Sequence, residues 1–253
     1  DRSSAAFSLP YLSSLLFFFG NWAMAWGWGP SVADVVSAPL WSVSVEEQFY
    51  LTWPLLLVVT GVGNVRRVAL VLIGLAIAVR LGMDLAGTRD TTSWYSTFTW
   101  LDSIGAGALL ALRLKGRAPS LSAPSRVMLF TAGVGLWLLA SVAFGLLPMN
   151  TILYPLIVVG SVLMLWSAAG AVALRQPVLV SLGRMSYGLY VFHMVGLVAA
   201  GWVFPEYSVS RALSGLALTV LLAAISYRWL ETPFLRLKQR FTYVASRPID
   251  GAD

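Results

Sequence analysis

The chain has 253 residues, of which 58% are apolar and only 11% are charged, and it contains 11 Trp and no Cys. Its mean hydropathy of +0.78 exceeds what the core of a soluble protein requires. The lack of Cys excludes a thiol nucleophile, a disulfide framework and a thiolate metal site, and a single His makes a zinc site uncommon. We therefore expect a membrane protein with no bound metal.

About eight apolar stretches are long enough to cross a bilayer, which takes roughly 20 residues. In chain order they are residues 9–27, 38–60, 68–85, 94–112, 127–147, 152–174, 187–204 and 212–230. Because the bilayer core holds no water to satisfy open backbone groups, these stretches are expected to be helices. The sequence thus predicts an all-α, polytopic transmembrane bundle forming one domain over residues 1–240, with a cytoplasmic tail at 241–253.

The basic residues predict the orientation of the bundle. If the N-terminus faces the cytoplasm, every Lys and Arg except Arg80, Arg89 and Arg211 falls on the inner side. Both termini are then cytoplasmic, and a multi-pass protein of the plasma (inner) membrane is predicted. Lipid headgroups and topology explain the net charge of +6, so we expect a lipid bilayer and no nucleic acid as partner. The sequence leaves the oligomeric state open.

The second stretch carries two adjacent carboxyls, Glu46 and Glu47, at membrane depth and just before Gln48. Polar groups are costly there, so they carry functional information. Ser42, Glu46 and Tyr50 recur at i, i+4 and i+8 and share one helix face. Two interpretations remain: these groups line a site, or they join helices through hydrogen bonds.

The third and fourth stretches also contain charged residues. Arg80 and Asp84, four residues apart, are predicted to form a local ion pair. Asp102 near mid-depth is either functional or an interhelical hydrogen-bonding residue, and we expect it to share a face with Tyr95 and Thr99. Aromatic residues near the ends of the stretches are predicted to form interfacial belts. They include Trp26, Trp28, Trp94 and Tyr154.

The seventh stretch places Ser186, Tyr190 and His193 on one face at i, i+4 and i+7. An imidazole can accept or donate a proton near neutral pH, although a single intramembrane His is also common as a packing residue. Polar stripes on three helices near the same depth predict one internal cavity containing Glu46, Glu47 and His193.

Several segments resemble the acyltransferase-3 family of membrane O-acyltransferases. The main motif is Trp41-Ser42-Val43-Ser44-Val45-Glu46-Glu47-Gln48-Phe49-Tyr50-Leu51, followed by Trp53-Pro54. Weaker matches are Asn21-Trp22, the segment from Gly183 to His193 and the segment from Ser226 to Phe234. The resemblance covers residues from about 15 to 240. Trp100 and Leu40 depart from the family pattern, which has Arg and His there.

The resemblance implies transfer of an acyl group, often acetyl, from cytoplasmic acyl-CoA as co-substrate to a hydroxyl of a glycan or other acceptor destined for the cell surface. Glu46 and Glu47 are expected to orient or charge the general base, with His193 as a second proton-transfer group. Residues expected to line the acceptor side are Asn21, Trp41, Ser42, Tyr50, Asp102 and Tyr190. A basic rim is expected to contact the CoA phosphates through Arg113, Lys115, Arg175 and Arg184.

The family has further N-terminal helices with an Arg and the His thought to act as general base. The chain begins without Met, and we expect these helices to lie upstream of it. Two other functions stay open. One is a secondary transporter whose buried carboxylates bind and release protons, and the other is a non-catalytic membrane scaffold related to acyltransferases.

Overall fold

The computed structural model describes residues 9–29, 37–88, 90–204, 206 and 208–241. Within these residues every regular element is helical, which confirms the all-α prediction. The α-helices are α1 (Leu9–Leu16), α2 (Gly20–Ala25), α3 (Leu40–Thr60), α4 (Val65–Leu85), α5 (Asp90–Tyr95), α6 (Leu101–Leu114), α7 (Ala123–Val142), α8 (Tyr154–Ala168), α9 (Pro177–Arg184), α10 (Ser186–Val203), α11 (Val209–Ser226) and α12 (Thr232–Arg240).

Five helical segments within the described residues are long and apolar enough to cross a membrane. They are Val62–Leu85, Ala123–Val142, Met149–Ala168, Ser186–Val203 and Val209–Leu237. Each overlaps one predicted stretch. The predicted count of eight is not confirmed, because α3 carries its acidic pair mid-helix and is not among the five, and because two other predicted stretches are broken.

The two broken stretches are corrections to the sequence prediction. Residues 9–27 divide into α1 and α2, since Phe18 takes a left-handed backbone conformation (φ 59°) that a helix cannot continue through. Residues 94–112 divide into the end of α5, a 3-10 turn at Thr97–Trp100 and α6. Both breaks fall beside the polar groups described below.

Contacts divide the described chain into two compact units. The larger unit holds residues 13–28 and 41–172, in which α4 packs along α6 and α7 along α8. The smaller unit holds residues 9–12, 29, 37–40 and the described part of 173–241, in which α10 packs along α11. A single domain over 1–240 and cytoplasmic termini stay predictions. Arg2, Arg89 and Arg247, used in the charge argument, and the tail beyond Phe241 lie outside the described residues.

Small residues allow the long helices to approach closely. A Cβ placed on Gly133 of α7 would lie 2.6 Å from the Gly160 carbonyl oxygen of α8, and one on Gly160 would lie 2.8 Å from the Gly133 carbonyl oxygen. In the smaller unit, a Cβ on Gly196 of α10 would lie 2.5 Å from the Gly215 carbonyl oxygen of α11. Backbone therefore meets backbone at both crossings.

The end of α6 is set by local conformation. Lys115 caps the helix in the left-handed region (φ 49°, ψ 35°), and Gly116 follows with φ 74°. These two residues turn the chain sharply toward α7, which begins after Ser122, whose hydroxyl accepts a hydrogen bond from the Ser125 backbone N–H (3.3 Å). Several basic side chains are gathered in the short connection.

Candidate functional site

Three polar side chains of the larger unit close a ring of hydrogen bonds around the main motif. The Gln48 amide donates to Asn21 Oδ1 (2.9 Å), the Asn21 amide donates to Thr97 Oγ1 (2.9 Å), and the Thr97 hydroxyl donates to Gln48 Oε1 (2.5 Å). Each member of this polar ring both donates and accepts. Such a closed network strengthens its own bonds and fixes its members in place.

The polar ring is tied to the backbone at both helix breaks. Gln48 also donates to the Phe18 carbonyl (2.6 Å), and Asn21 donates to the Tyr95 carbonyl (3.0 Å). Asn21 is fully buried. Both amide hydrogens of Asn21 and both of Gln48 are thus used within the protein. The ring holds α3 against α2 and the chain after α5, and it leaves neither amide a hydrogen to offer a ligand.

Gln48 was not among the predicted site residues. The available signal was its position, since it is an amide directly after two acids in an otherwise apolar helix. Its partner Thr97 gave no signal, because a single Thr is common in membrane helices and the break at Thr97–Trp100 is not apparent from composition. Asn21 was predicted to contact the molecule that accepts the acyl group, and that role stays a prediction.

The acid pair lies next to the polar ring on α3. Glu46 is exposed and Glu47 is half-buried. In the described part of the chain neither carboxylate has a hydrogen-bond or ion-pair partner. Along the predicted stripe, Ser42 is half-buried and Tyr50 is 59% exposed. The hydrogen bonds of Gln48 therefore fix the position of this part of α3, while the Glu46 and Glu47 carboxylates stay accessible.

Arg80 and Asp102 form a buried ion pair between α4 and α6. Arg80 Nη1 lies 2.6 Å from Asp102 Oδ2, Nη2 lies 3.0 Å from Oδ1, and Nη2 also donates to the Thr99 carbonyl. The predicted local pair of Arg80 with Asp84 is therefore wrong. Asp84 instead accepts a hydrogen bond from the Asn150 amide (2.5 Å). A bidentate partner on a neighbouring helix satisfies the guanidinium better than a carboxylate one turn away.

The predicted shared face of Tyr95, Thr99 and Asp102 is also corrected. These residues lie on α5, on the 3-10 turn and on α6, so no single helix face carries them. All three are nonetheless buried. The Thr99 hydroxyl donates toward the Ser93 and Ser96 carbonyls (2.7 Å each), which satisfies backbone groups freed by the break.

An aromatic cluster contacts this ion pair through Tyr154. The ring centroids of Trp41 and Tyr95 are 5.2 Å apart. The ring centroid of Trp94 is 5.4 Å from that of Trp100 and 5.5 Å from that of Tyr154. The Arg80 guanidinium carbon sits 5.1 Å from the Tyr154 ring centroid. The belt prediction is therefore wrong for Tyr154, which is buried inside the unit, whereas Trp94 is half-buried and its place in a belt stays a prediction. Trp26 and Trp28 are 58% and 60% exposed, as a belt requires.

A basic cleft of about 660 Å³ follows α6. Its lining includes Arg113, Lys115, Arg117, Ser120 and Trp166. The Arg126 guanidinium ties Pro119, a lining residue, to the end of α8 by donating to the carbonyls of Pro119 (3.1 Å), Ser167 (2.6 Å) and Ala169 (2.8 Å). The structure thus brings together Arg113 and Lys115, two of the predicted phosphate contacts, and adds Arg117.

The remaining predicted residues lie in the smaller unit. His193 and Tyr190 both lie on α10, where the His193 Nδ1 contacts the Tyr190 carbonyl and the Tyr190 hydroxyl donates to the Pro39 carbonyl (3.0 Å). Arg175 and Arg184 are exposed. Because His193 belongs to one unit and the acid pair to the other, their meeting in one cavity stays a prediction. Among described residues, no three His, Asp or Glu side chains cluster closely enough to hold a metal ion.

The long apolar helices define a multi-pass α-helical membrane protein. Comparison with known families goes further: the family model described as an acyltransferase domain, acyltransferase family 3, matches residues 4–228. The chain therefore belongs to the acyltransferase-3 family, as its motifs indicated.

Curated relatives agree with this assignment. Peptidoglycan O-acetyltransferase OatA of Listeria monocytogenes serovar 1/2a (strain EGD-e) is 27% identical over 267 residues, covering 92% of this chain and 40% of the relative. Proteins named "Putative O-acetyltransferase" from Staphylococcus aureus strains COL and MSSA476 are each 26% identical over 219 residues, covering 77% of this chain and 35% of the relative. The chain thus spans about two fifths or less of their length. No solved structure matches it.

Proposed function

We propose that the chain is the membrane-embedded catalytic part of an O-acyltransferase, and that it moves an acetyl group from cytoplasmic acetyl-CoA to a hydroxyl of a cell-envelope glycan. Its family membership and the names of its relatives support the reaction class. The structural observation that carries the proposal is the accessible acid pair, Glu46 and Glu47, held in place by the immobilised Gln48 on the motif helix.

The chemistry requires a base and a polarised thioester. The acceptor hydroxyl oxygen attacks the acyl carbon and forms the ester bond, the carbon–sulfur bond breaks, and the hydroxyl proton passes through the base to the departing thiolate. Glu46 or Glu47 orients or charges that base, because a carboxylate beside a base stabilises its protonated form. Ser42 and Tyr50 then line the acceptor side and His193 serves as a second proton-transfer group.

The donor enters from the side of the basic cleft in this proposal. Acetyl-CoA carries several phosphate charges at one end, and Arg pairs with phosphates through two parallel hydrogen bonds. Arg113 and Lys115 supply cations in the larger unit, while Arg175 and Arg184 supply exposed cations in the smaller unit. The phosphates stay in the cytoplasm while the thioester reaches the membrane interior.

An assay of acetyl transfer to the glycan tests this proposal. Membranes carrying the full protein are incubated with [14C]acetyl-CoA, and label in the cell-envelope glycan fraction is counted. At least one of the variants Glu46→Gln and Glu47→Gln is expected to lower labelling by a factor of about 10²–10⁴, the usual contribution of acid–base groups. The matched control is Glu206→Gln, which changes an exposed acid outside the motif and is expected to keep wild-type labelling.

Two outcomes contradict the proposal. Solute uptake with no glycan labelling by the wild type favours a proton-coupled transporter. Full labelling by both Gln variants shows that the acid pair has no part in the reaction.

A further inference from the structure

Two more cavities of the larger unit continue the basic cleft along α6. An apolar groove of about 590 Å³ shares Lys115 with the cleft. An inner pocket of about 320 Å³ shares Phe49, Trp53 and Ile104 with the groove. The three cavities, here called the α6 track, thus follow one another from Lys115 to the pocket that contains Gln48.

The two ends of the α6 track differ in chemistry. The outer end has three cations, Arg113, Lys115 and Arg117, with Trp166 beside them. The inner pocket is walled by apolar and aromatic side chains, and it reaches Gln48 and Thr97 of the polar ring. The 14 residues of α6 rise about 21 Å at 1.5 Å per residue. A ligand filling the track must be long, with several negative charges at one end.

Resting on the function proposed above, we propose that the α6 track is the binding site of the acyl donor. The nucleotide phosphates of acyl-CoA lie in the basic cleft, the pantetheine arm follows the groove past Gly107, and the acyl thioester lies in the inner pocket against the polar ring. The polar ring forms the closed end of the inner pocket. Gln48 donates no hydrogen bond to the thioester, since both of its amide hydrogens already bond within the protein. The thioester then lies against Gln48, which follows Glu47 on α3 and, unlike Glu47, lines the inner pocket.

A membrane phospholipid shares the combination of a phosphate and a long arm. Two features favour the nucleotide. Three cations exceed what one phosphodiester charge needs, and an aromatic side chain beside them offers a face on which a purine base stacks. For either ligand, the Arg126 guanidinium ties Pro119 of the cleft wall to the end of α8, which limits the ordering that binding requires there.

Gly107 offers a way to block the groove without disturbing the fold. It lines the groove on α6, and a Cβ placed there meets no atom within 4 Å. A side chain added at this position therefore starts in the open space of the groove, and Phe is bulky enough to obstruct it. Gly74 on α4 is the matched control, because a Cβ there also meets nothing within 4 Å and the residue lines none of the three cavities.

The experiment uses membranes carrying the full protein. Gly107→Phe is expected to raise the KM for acetyl-CoA at least about tenfold, equivalent to about 1.4 kcal/mol, with little change in kcat at saturating donor. Gly74→Phe is expected to keep the wild-type KM. In a separate binding assay, Gly107→Phe is expected to bind 3′-phosphoadenosine 5′-diphosphate like the wild type but to lose the additional affinity that the pantetheine arm gives CoA.

The outcomes separate this inference from the proposed function. An unchanged acetyl-CoA KM and CoA affinity in Gly107→Phe overturns the α6 track as the donor site while acetyl transfer itself stands. Absence of acetyl transfer by the wild type overturns the proposed function, and CoA bound more tightly by the wild type than by Gly107→Phe would still support the track. Phosphatidylglycerol that copurifies with the wild type and is lost in Gly107→Phe, with CoA binding unchanged, shows a lipid site and overturns the inference.

Discussion

The helices around the main motif and the helix pair α10 and α11 of the smaller unit are joined in different ways. In the larger unit, α3, α4 and α6 are fixed by the polar ring and by the buried pair of Arg80 with Asp102. In the smaller unit, α10 and α11 meet through small residues, with Gly196 against Gly215 and Thr219. Hydrogen bonds and ion pairs are directional, whereas close packing of small residues follows shape alone.

This difference places directional constraints around the main motif. The polar ring fixes α3 next to its acid pair, and the ion pair fixes α6, which carries the α6 track. A catalytic arrangement needs its groups held within about 0.5 Å, which directional contacts with locked side chains achieve. Small-residue packing suffices for α10 and α11 to associate in a bilayer.

The largest expected effect comes from breaking the ion pair. Arg80→Leu leaves Asp102 buried without its partner, and we expect a loss of about 3–5 kcal/mol in the free energy of unfolding. The double variant Arg80→Leu with Asp102→Leu is expected to recover most of this loss, because no charge stays unpaired. Thermal unfolding of the detergent-solubilised protein measures both.

Arg66→Leu is the matched control for this experiment. It removes an exposed Arg from the same helix, so its unfolding temperature is expected to stay close to that of the wild type. If Arg80→Leu unfolds like Arg66→Leu, the ion pair does not stabilise the larger unit.

An intermediate effect is expected where the helices of the smaller unit cross. Gly196→Ala puts a methyl group against the Gly215 carbonyl oxygen and the Thr219 hydroxyl, so α10 and α11 must separate. We expect a loss of about 1–2 kcal/mol, which is an overpacking cost partly offset by the better helix propensity of Ala. Gly183→Ala on α9, where a Cβ meets nothing within 4 Å, is expected to be neutral or slightly stabilising. Equal unfolding temperatures for the two variants would contradict close packing at this crossing.

The helical class and five of the eight predicted stretches agree with the structure, because both follow from uninterrupted apolar length. The sequence prediction failed where tertiary hydrogen bonds override local pattern. Residues 9–27 and 94–112 look like continuous spans, yet Phe18 and Tyr95 expose carbonyls that Gln48 and Asn21 satisfy from elsewhere in the chain. A break that requires a distant amide cannot be predicted from hydropathy.

The candidate site was predictable to a similar degree. The acid pair and two cations that line the cleft could be singled out from the sequence, since charged residues stand out in an apolar chain, but their roles stay predictions. The partner of Arg80 was predicted wrongly, because spacing along one helix favours Asp84 and says nothing about Asp102 on another. The α6 track was not predictable, because Gly107 and Ile104 become lining residues only through packing.

The smallest loss of stability is expected from opening the polar ring, and there a loss of activity can be measured separately from a loss of folded protein. Thr97→Val opens the ring by removing one hydroxyl, and hydrogen bonds between membrane helices contribute little individually, so we expect a loss of about 0.5–1.5 kcal/mol in unfolding free energy. Thr131→Val is the matched control, because that exposed hydroxyl bonds only to carbonyls of its own helix.

Acetyl transfer by Thr97→Val is expected to fall about tenfold or more at saturating acetyl-CoA, although the protein stays folded. The reason is that Gln48 Oε1 loses the Thr97 hydroxyl that donates to it, so Gln48 is held less firmly and the acid pair moves with α3. Thr131→Val is expected to transfer acetyl like the wild type. If Thr97→Val loses activity only in proportion to its loss of folded protein, the ring stabilises the unit without positioning the motif. Wild-type activity with an opened ring would mean that the acids reach their working position without Gln48.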